Sequence, residues 1–297
     1  MGPCYQFSTL PVCRSPTRRL PRRGPARVPE LPEVEVTRRG IEPRIKGRRL
    51  TRTVLRAPAL RYPLPPRLAG RIEGQTLQAV ERRGKYLLLD FGTGRLLLHL
   101  GMSGSLRLVP AAQPPEKHDH VDLVFGTTAL RLRDPRRFGA LLWLEGDPQE
   151  HPLLAHLGME PLSRQFTAPW LEARLHGRKA SIKQALMDAH LVVGIGNIYA
   201  SESLFLAGID PRRPAGRVSR GKLELLVPAI RKILRAAIAA GGSSLRDFTH
   251  SDGEPGSFQT RHRVYGRAGL ACVVCKTPIK AMRQGQRSTY FCPRCQR

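Results

Sequence analysis

Pro29-Glu30-Leu31-Pro32-Glu33-Val34-Glu35 is the stretch around which the rest of the chain is organised. Three carboxylates and two prolines fall within these seven residues. Pro32 suits the first turn of a helix, and acidic side chains suit the positive end of the helix dipole. Apolar residues then recur at roughly helical spacing, at Val34, Ile41 and Ile45. The stretch therefore predicts the start of a helix that Pro43 and Gly47 end.

The same stretch has a second interpretation, which depends on where the mature chain begins. GUG, a valine codon, can start translation in bacteria, so a start at Val28 followed by removal of the initiator would leave Pro29 as a free secondary amine. A chain-terminal amine has a pKa near ~8, so an appreciable share is unprotonated and nucleophilic at neutral pH. Attack on a sugar carbon would give a cationic iminium, with Glu30 beside it to exchange protons. Glu33 would orient Pro29 or take protons, or it would only cap the helix.

Length and charge set the bounds on function. At 297 residues the chain can hold two domains with their own cores plus an appendage, and 41% of its residues are hydrophobic. A formal net charge of +27 indicates a polyanionic partner. Ribosomal and membrane-surface proteins share such a charge, so charge alone names no function. No apolar run approaches the ~20 residues of a membrane-spanning helix.

Residues 1–28 differ in composition from the rest. They contain six Arg, five Pro and no acidic residue, and they lack hydrophobic periodicity. Such a segment cannot bury enough apolar surface to fold, so we expect a disordered leader. A start codon assigned too far upstream is the favoured interpretation, ahead of a transit peptide and a basic DNA-binding arm. If the leader stays attached, Pro29 is an internal amide and cannot act as a nucleophile.

The patterning of the remaining chain changes near its middle. Between residues 51 and 144, short alternating runs bounded by Gly and Pro predict antiparallel strands in a sandwich or flattened barrel, at residues 96–100, 121–125, 130–133 and 140–144. The second half has helical patterning, at residues 168–176, 180–189, 198–207 and 223–240. Between the second and third of these helices, Gly194-Ile195-Gly196-Asn197 is a glycine-bearing turn, whose backbone amides could hold a phosphate at the helix start.

Two cysteine pairs close the sequence. Cys272-Val-Val-Cys275 and Cys292-Pro-Arg-Cys295 are separated by 16 residues, a spacing typical of a zinc ribbon. Disulfides are the alternative, and they are the poorer choice in a chain without an export signal. Four cysteines would fill the coordination sphere of one zinc ion and leave no position for water. The sequence therefore predicts a structural zinc, and the other two cysteines lie in the leader.

Several blocks of sequence, in order, resemble the bacterial formamidopyrimidine-DNA glycosylases. Besides residues 29–40 and the cysteine pairs, they are Arg83-Gly84-Lys85-Tyr86-Leu87, His99-Leu100-Gly101-Met102-Ser103-Gly104, Lys117-His118-Asp119-His120-Val121-Asp122, Asp134-Pro135-Arg136-Arg137-Phe138-Gly139 and Gly194-Ile195-Gly196-Asn197-Ile198-Tyr199-Ala200-Ser201-Glu202. The resemblance covers residues 29–297. It implies an α+β fold, in which an N-terminal β-sandwich with a catalytic N-terminal helix precedes a helical helix-two-turn-helix domain and a C-terminal zinc-ribbon hairpin.

The domain boundaries expected from pattern and resemblance divide the chain into five parts. They are a basic leader at residues 1–28, a catalytic β-sandwich domain at 29–150, a linker at 151–164, a helix-two-turn-helix DNA-binding domain at 165–262 and a zinc finger at 263–297.

The resemblance also implies the roles of individual residues. The catalytic residues are Pro29, Glu30, Lys85, which would assist proton transfer in β-elimination, and Arg287, linked with δ-elimination. The DNA-binding residues are His118, Arg136, Arg178, Asn197, Met102, Phe138, Arg137 and Lys183. The zinc ligands are Cys272, Cys275, Cys292 and Cys295. Each assignment has an ordinary structural alternative, such as a solvated charge for Lys85 and Arg178, a structural histidine for His118, and core packing for Met102 and Phe138.

The chemistry of three of these residues agrees with their implied role. A glycosylase must flip a damaged nucleotide out of the duplex and fill the gap that it leaves. A thioether and an aromatic ring, at Met102 and Phe138, can wedge between bases, and the guanidinium of Arg136 can face the orphaned cytosine. The polar, glycine-rich stretch at residues 251–258 could close over the flipped base.

The resemblance implies a bifunctional DNA glycosylase and AP lyase of base excision repair, acting on 8-oxoguanine and formamidopyrimidines through a proline Schiff base and β,δ-elimination. An endonuclease VIII-like enzyme for oxidised pyrimidines is one alternative. A non-catalytic, zinc-dependent module that binds damaged DNA is the other, if the leader is retained. We expect a monomer in the bacterial cytoplasm, associated with the nucleoid, whose partner is double-stranded DNA containing oxidised bases.

Overall fold

The computed structural model describes residues 29–242 and 262–297. The leader at residues 1–28 and the stretch at 251–258 lie outside these ranges. Helix α1 spans Leu31–Ile45 and contains Pro43 near its end. Pro43 was expected to end the helix together with Gly47, but it lies inside the helix, two residues before Ile45. The helix ends instead at Lys46 and Gly47, where Gly47 adopts a φ of +76° that side chains disfavour.

The N-terminal half is a two-layer antiparallel sandwich. Its strands are β1 (Arg52–Leu55), β2 (Ala79–Arg83), β3 (Tyr86–Asp90), β4 (Arg95–His99), β5 (Ser105–Pro110), β6 (Asp119–Phe125), β7 (Thr128–Arg133) and β8 (Ala140–Leu144), with a short helix α2 (Leu68–Ile72). One sheet has the order β1-β6-β7-β5 and the other the order β2-β3-β4-β8. The apolar face of α1 packs into the core between them through Val34, Ile41 and Ile45. The sandwich predicted from the sequence is confirmed.

The next segment is helical, as the sequence predicts. Its helices are α3 (Pro152–Ala155), α4 (Ala168–Leu175), α5 (Ile182–Met187), α6 (Asn197–Leu206) and α7 (Arg220–Ala239). Helix α5 is shorter than expected because Ser181 caps it, with Oγ accepting from Gln184 N at 3.3 Å. The stretch expected to be a linker contains α3. Within the described residues, no helix is long and apolar enough to cross a membrane.

The C-terminal segment is a hairpin that packs on α6. Strands β9 (Lys280–Gln284) and β10 (Arg287–Phe291) pair in antiparallel fashion, with Gln284 opposite Arg287. Two residues, Gly285 and Gln286, make the turn. A small core that includes Val264, Ile279 and Phe205 joins the hairpin to α6. The turn therefore brings the first residue of β10 to the side of the helical domain.

Candidate active site and DNA interface

The carboxylate of Glu30 occupies the N-terminal end of α6, 166 residues further along the chain. Glu30 Oε2 accepts from Gly196 N at 2.8 Å and from Tyr199 N at 3.4 Å, and Oε1 accepts from Ile198 N at 3.0 Å. Only 4% of Glu30 is exposed. Burial raises the pKa of Glu30, while the charge of Lys85 and the three backbone N–H groups oppose that shift. A carboxyl with a raised pKa is suited to exchanging protons near neutral pH.

This arrangement corrects the expectation that the glycine-bearing turn holds a phosphate. The amides at the start of α6 already bind an anion, and it is the Glu30 side chain. A Cβ at Gly196 would lie 2.2 Å from Glu30 Cδ, so only glycine allows the carboxylate to approach. Leu31 N also donates to Gly194 O at 3.0 Å. The turn therefore ties the start of α1 to the helical domain.

Glu33 caps α1 and also contacts α6. Its Oε2 accepts from Glu30 N at 2.9 Å, which is the capping geometry considered in the sequence analysis. Its Oε1 accepts from the hydroxyl of Tyr199 at 2.6 Å, and Glu33 is 1% exposed. Sequence reasoning did not single out Tyr199, although the residue stands inside one of the resembling blocks.

Pro29 is buried and directly precedes the helix that carries Glu30. Pro29 is thus the neighbour in the chain of Glu30, the N-cap residue of α1.

Two lysines and one arginine share the electrostatic environment of Glu30. Lys85 is half-buried in the turn between β2 and β3. Burial lowers the pKa of Lys85, the charges of Glu30 and Glu33 oppose that shift, and the charge of Arg287 adds to it. Lys85 is therefore not the solvated surface lysine of the structural alternative. The exposed Arg287 extends from the start of β10 towards the same group of charges.

Lys183 is buried between α5 and the hairpin. Its Nζ donates to Thr289 Oγ1 at 2.7 Å and to Ser288 O at 2.9 Å. Burial lowers the pKa of Lys183 to about 8, with Glu30 opposing the shift and Arg287 adding to it. A groove of about 170 Å³ beside it is lined by Lys183 and Arg287 together with residues of the hairpin turn. The four ionisable groups Glu30, Lys85, Lys183 and Arg287 thus form one cluster, contributed by both domains and the hairpin.

The three residues expected to fill the DNA gap lie on two loops that contact each other. Met102 is half-buried in the loop between β4 and β5, and Phe138 is 46% exposed in the loop between β7 and β8. The guanidinium carbon of Arg136 lies 4.9 Å from the centre of the Phe138 ring. A Cβ at Gly101 would lie 2.4 Å from the Phe138 carbonyl carbon, so the two loops touch through bare backbone. Core packing, the alternative for Phe138, does not describe a ring with this exposure.

Asp134 and Ser103 join these two loops. Asp134 is fully buried, and its carboxylate accepts from Ser103 Oγ at 2.7 Å and from Gly139 N at 2.7 Å. Ser103 Oγ in turn accepts from Arg136 N at 3.2 Å. Both residues stand in resembling blocks, but sequence reasoning assigned them no role. The feature that identifies Asp134 is its complete burial beside exposed residues. The sequence alone does not show burial.

The remaining expected DNA-binding residues are placed differently. His118 and Arg137 both have positive φ, at 76° and 55°, and flank the same loops, since His118 O accepts from Asp134 N at 3.0 Å. Asn197 begins α6, and its Nδ2 lies 3.5 Å from the Tyr265 hydroxyl, while its buried Oδ1 has no hydrogen-bond partner among the described residues. Arg178 donates to Asp188 at 3.0 Å, so it is held by an ion pair.

The four cysteines converge at the base of the hairpin. Their Sγ atoms all lie within 4.8 Å of one another, with 3.9 Å between Cys272 and Cys295 and 3.4 Å between Cys275 and Cys292. Four thiolates bound at about 2.3 Å from one zinc ion would lie about 3.8 Å apart in a tetrahedron. The donor set therefore fits a closed, structural zinc site.

A further cavity lies away from the cluster that contains Glu30. Its volume is about 1130 Å³, and its lining includes Glu160, Trp170 and His190 but none of the residues expected at the active site. This cavity therefore does not coincide with the charge cluster around Glu30.

Comparisons with known proteins identify all three parts of the structure. The Formamidopyrimidine-DNA glycosylase N-terminal domain family matches residues 28–141, and the Formamidopyrimidine-DNA glycosylase H2TH domain family matches residues 157–249. The zinc finger found in FPG and IleRS matches residues 269–297, which contain all four clustered cysteines. The cysteine site is therefore that of a structural zinc ion.

Individual relatives and solved structures agree. A formamidopyrimidine-DNA glycosylase of Aromatoleum aromaticum is 61% identical over 270 residues, covering 91% of this chain and 100% of the relative. One from Thioalkalivibrio sulfidiphilus is 58% identical with the same coverage. The MutM (Fpg) protein of Thermus thermophilus has a TM-score of 0.81 at 43% identity, covering 90% of this chain and 98% of that one.

A Lactococcus lactis FPG mutant in complex with Fapy-dG containing DNA has a TM-score of 0.84 at 36% identity, covering 91% of this chain and 100% of that one. Fold, cysteine site and relatives of nearly full length lead to one conclusion. The chain belongs to the formamidopyrimidine-DNA glycosylase family.

Proposed function

We propose that this protein is a base excision repair enzyme, which removes oxidised purines from duplex DNA and then nicks the strand. The observation that carries the proposal is the buried Glu30 carboxyl. It lies directly after Pro29, has a raised pKa, and belongs to a cluster with two lysines of lowered pKa. An acid and bases with pKa values moved toward neutrality are what proton transfer at a sugar requires. Relatives at 61% and 58% identity carry the matching name.

In the proposed reaction, the Pro29 nitrogen attacks the anomeric carbon of the flipped nucleotide. The bond between C1′ and the base breaks as the bond to nitrogen forms. Glu30 then delivers a proton to O4′ as the C1′–O4′ bond opens, which leaves a cationic iminium between protein and ring-opened deoxyribose. The backbone amides of α6 hold Glu30 in place, so its carboxyl need not reorganise during the step. Binding the sugar covalently makes its neighbouring protons acidic and prepares the strand for elimination.

The AP lyase steps are assigned to residues around the same cluster. Lys85 would act as the base in β-elimination, because burial lowers its pKa and so favours the neutral amine more than in an ordinary lysine. Arg287 would bind the phosphate that leaves during δ-elimination, because its exposed guanidinium stands at the tip of the hairpin. Lys183 would contact the lesion or its phosphate. The zinc ion folds the hairpin when bound, and it takes no part in bond breaking.

Recognition of damaged DNA is assigned to the two contacting loops. Met102 and Phe138 would fill the gap after the nucleotide leaves the duplex, and Arg136 would face the orphaned cytosine. His118, Arg137 and Asn197 would contact the DNA backbone beside them. Arg178 has the weakest support, because Asp188 already neutralises it. A bacterial cytoplasmic enzyme associated with the nucleoid, acting as a monomer, remains our prediction.

The nucleophile can be tested by comparing two forms of the protein. A chain that begins at Pro29 should form a borohydride-trapped adduct with a duplex containing 8-oxoguanine opposite cytosine. A chain that retains residues 1–28 should bind the duplex but form no adduct, since its Pro29 nitrogen is an amide. Intact mass identifies each form. Equal trapping by both forms would exclude Pro29 as the nucleophile, and the Pro29→Gly variant of the shorter form should lose much of the adduct while it still binds.

The endonuclease VIII-like alternative is tested by substrate preference. A structure from Lactococcus lactis FPG was solved with oxidised pyrimidine containing DNA, so pyrimidine lesions are the informative comparison. We expect faster excision of 8-oxoguanine opposite cytosine than of thymine glycol. The reverse preference would favour the alternative.

A further inference from the structure

The junction between α1 and β1 carries a dense group of exposed cations that the proposed chemistry does not use. Within residues 44–52 this basic strip comprises Arg44, Lys46, Arg48, Arg49 and Arg52, and all five are exposed. Gly47, with its positive φ, folds the chain back so that Arg48 N donates to Ile45 O at 3.1 Å. The turn brings the end of α1 against the segment that follows, so the five cations occupy one region of the surface.

Few carboxylates neutralise the basic strip. Lys46 lies 3.8 Å from Glu42, which also pairs with Arg38. Arg44, Arg48, Arg49 and Arg52 form no ion pair with any residue that the structure describes. Some exposed arginines elsewhere do have carboxylate partners: Arg71 pairs with Glu145, and Arg220 pairs with Glu172. Clustered arginines without carboxylate partners create a local positive potential that attracts an external anion.

The basic strip is far from the site that would hold the lesion. Helix α1 has 15 residues and is therefore about 22 Å long, with the Glu30 cluster at its start and the basic strip at its end. In the sheet, Arg52 pairs with Val124, six residues along the chain from His118 and thus about 20 Å from it. The basic strip therefore lies about 20 Å from both the Glu30 cluster and His118, the parts of the site expected to contact the lesion-bearing duplex.

We propose that the basic strip binds the phosphate backbone of a second duplex segment while the first lies in the lesion groove, by which we mean the surface formed by the Glu30 cluster and the two gap-filling loops. Its planar guanidinium groups suit phosphate oxygens, and its positive charge complements DNA, the partner of this enzyme family. Contacts of this kind carry no sequence information. They would hold undamaged DNA close to the enzyme and allow transfer between segments. The inference rests on DNA as the partner and on no step of the proposed reaction.

The test compares two triple variants with the same change in net charge. Arg48→Gln/Arg49→Gln/Arg52→Gln removes three cations of the basic strip. Arg71→Gln/Arg95→Gln/Arg220→Gln removes three arginines that already have carboxylate partners. Each protein is first saturated with a short duplex containing an uncleavable abasic-site analogue. Binding of a second, undamaged duplex is then titrated by fluorescence anisotropy at several salt concentrations. Saturation in the first step also shows directly whether the lesion groove works, independently of the basic strip.

We expect the wild type and the paired-arginine variant to bind a second duplex, and the basic-strip variant to bind it about tenfold or more weakly. The slope of log K against log salt should fall by about 0.9 for each phosphate that the variant no longer neutralises. Single-turnover excision from the short duplex should be the same in all three proteins. Absence of a second binding event in the wild type would overturn the proposal. So would equal weakening in both triple variants, or a gain in affinity that appears only when the lesion duplex itself is lengthened.

Discussion

Two buried glutamates, Glu30 and Glu202, have similar hydrogen-bonding environments in different parts of the molecule. Glu30 accepts from three backbone N–H groups at the start of α6, and Glu202, on α6 itself, accepts from Arg263 N, Val264 N and Tyr265 N at 2.8 to 3.0 Å. Each is at most 4% exposed, and burial raises the pKa of both. Their surroundings differ, because Glu30 lies near Lys85 and Lys183, whereas Glu202 lies beside the segment that leads to the zinc hairpin.

Hydrogen bonding and burial alone therefore do not distinguish the proposed catalytic carboxyl, Glu30, from Glu202. Both glutamates have the raised pKa that proton transfer uses, but only Glu30 has basic groups of lowered pKa and a candidate nucleophile next to it. Glu202 instead binds the backbone amides of residues 263–265, which precede the zinc hairpin. Substitutions can separate these two roles.

Glu30→Gln should have the largest effect. General acid–base groups contribute about 10²- to 10⁴-fold to rate, so single-turnover excision should fall by about that factor. Binding of an abasic-site duplex should change by only a few fold, because Glu30 faces backbone amides of the protein itself. Quantitative trapping and anisotropy measure the two effects separately. Excision at the wild-type rate would remove Glu30 from the chemistry.

Cys275→Ser tests the hairpin on the Glu202 side of the comparison. Loss of one thiolate should release zinc, and because the hairpin folds around the metal, DNA affinity should fall about tenfold or more. Zinc content by atomic absorption and DNA affinity are measured on the same sample. A variant that loses zinc but keeps normal affinity would show that the hairpin does not need the metal.

Glu202→Gln should weaken the fold without stopping the reaction. The amide would direct an N–H group at a backbone donor and leave it unsatisfied, which costs about 1–3 kcal/mol. We expect Glu30→Gln to lose a similar amount of stability for the same reason. Urea unfolding of both variants, alongside trapping, completes the comparison. If Glu202→Gln abolished trapping in a protein that remained folded, the separation of roles would be wrong.

The smallest predicted effect concerns the pH dependence of Lys183. Its pKa of about 8 lies below the ordinary lysine value, so the cation is present below pH 8 and is lost as the pH rises through 8. Affinity for an abasic-site duplex should therefore decline a few fold between pH 7 and pH 9. Lys183→Arg keeps its charge throughout this range, so its affinity should show no such decline. An identical pH profile in both proteins would mean that Lys183 does not bind the DNA as a cation.

Much of this structure follows from local patterns in the sequence. The run at residues 140–144 forms the strand that alternation predicts, and the two cysteine pairs meet as their spacing indicates. The helix that begins at Arg220 was expected to begin at Leu223, three residues later. It ends before Gly241-Gly242, as expected, and both glycines have positive φ. Patterns of this kind are decided by neighbours in the chain, and one sequence is enough to read them.

The contacts that the sequence could not supply join residues far apart in the chain. The sequence analysis expected the turn at residue 196 to hold a phosphate. Its backbone amide instead donates to Glu30, so the bound anion is a side chain of the same protein. Lys183 is buried only because the hairpin, 105 residues later, places Ser288 O and Thr289 against it. Asp134 joins two loops because its carboxylate accepts a hydrogen bond from Ser103, which lies on the other loop. Local propensity carries no information about such pairings.

The dependence of Lys183 on the hairpin has a consequence for how long the protein works in a stressed cell. The hairpin is fixed by four thiolates, and Cys275 and Cys295 are half-exposed. Peroxides convert accessible thiolates to sulfenic acids and disulfides, which no longer bind metal. The oxidants that create its lesions therefore also attack its own scaffold. Thioredoxin-like reductants and a supply of zinc would then set the working lifetime of this repair protein during oxidative stress.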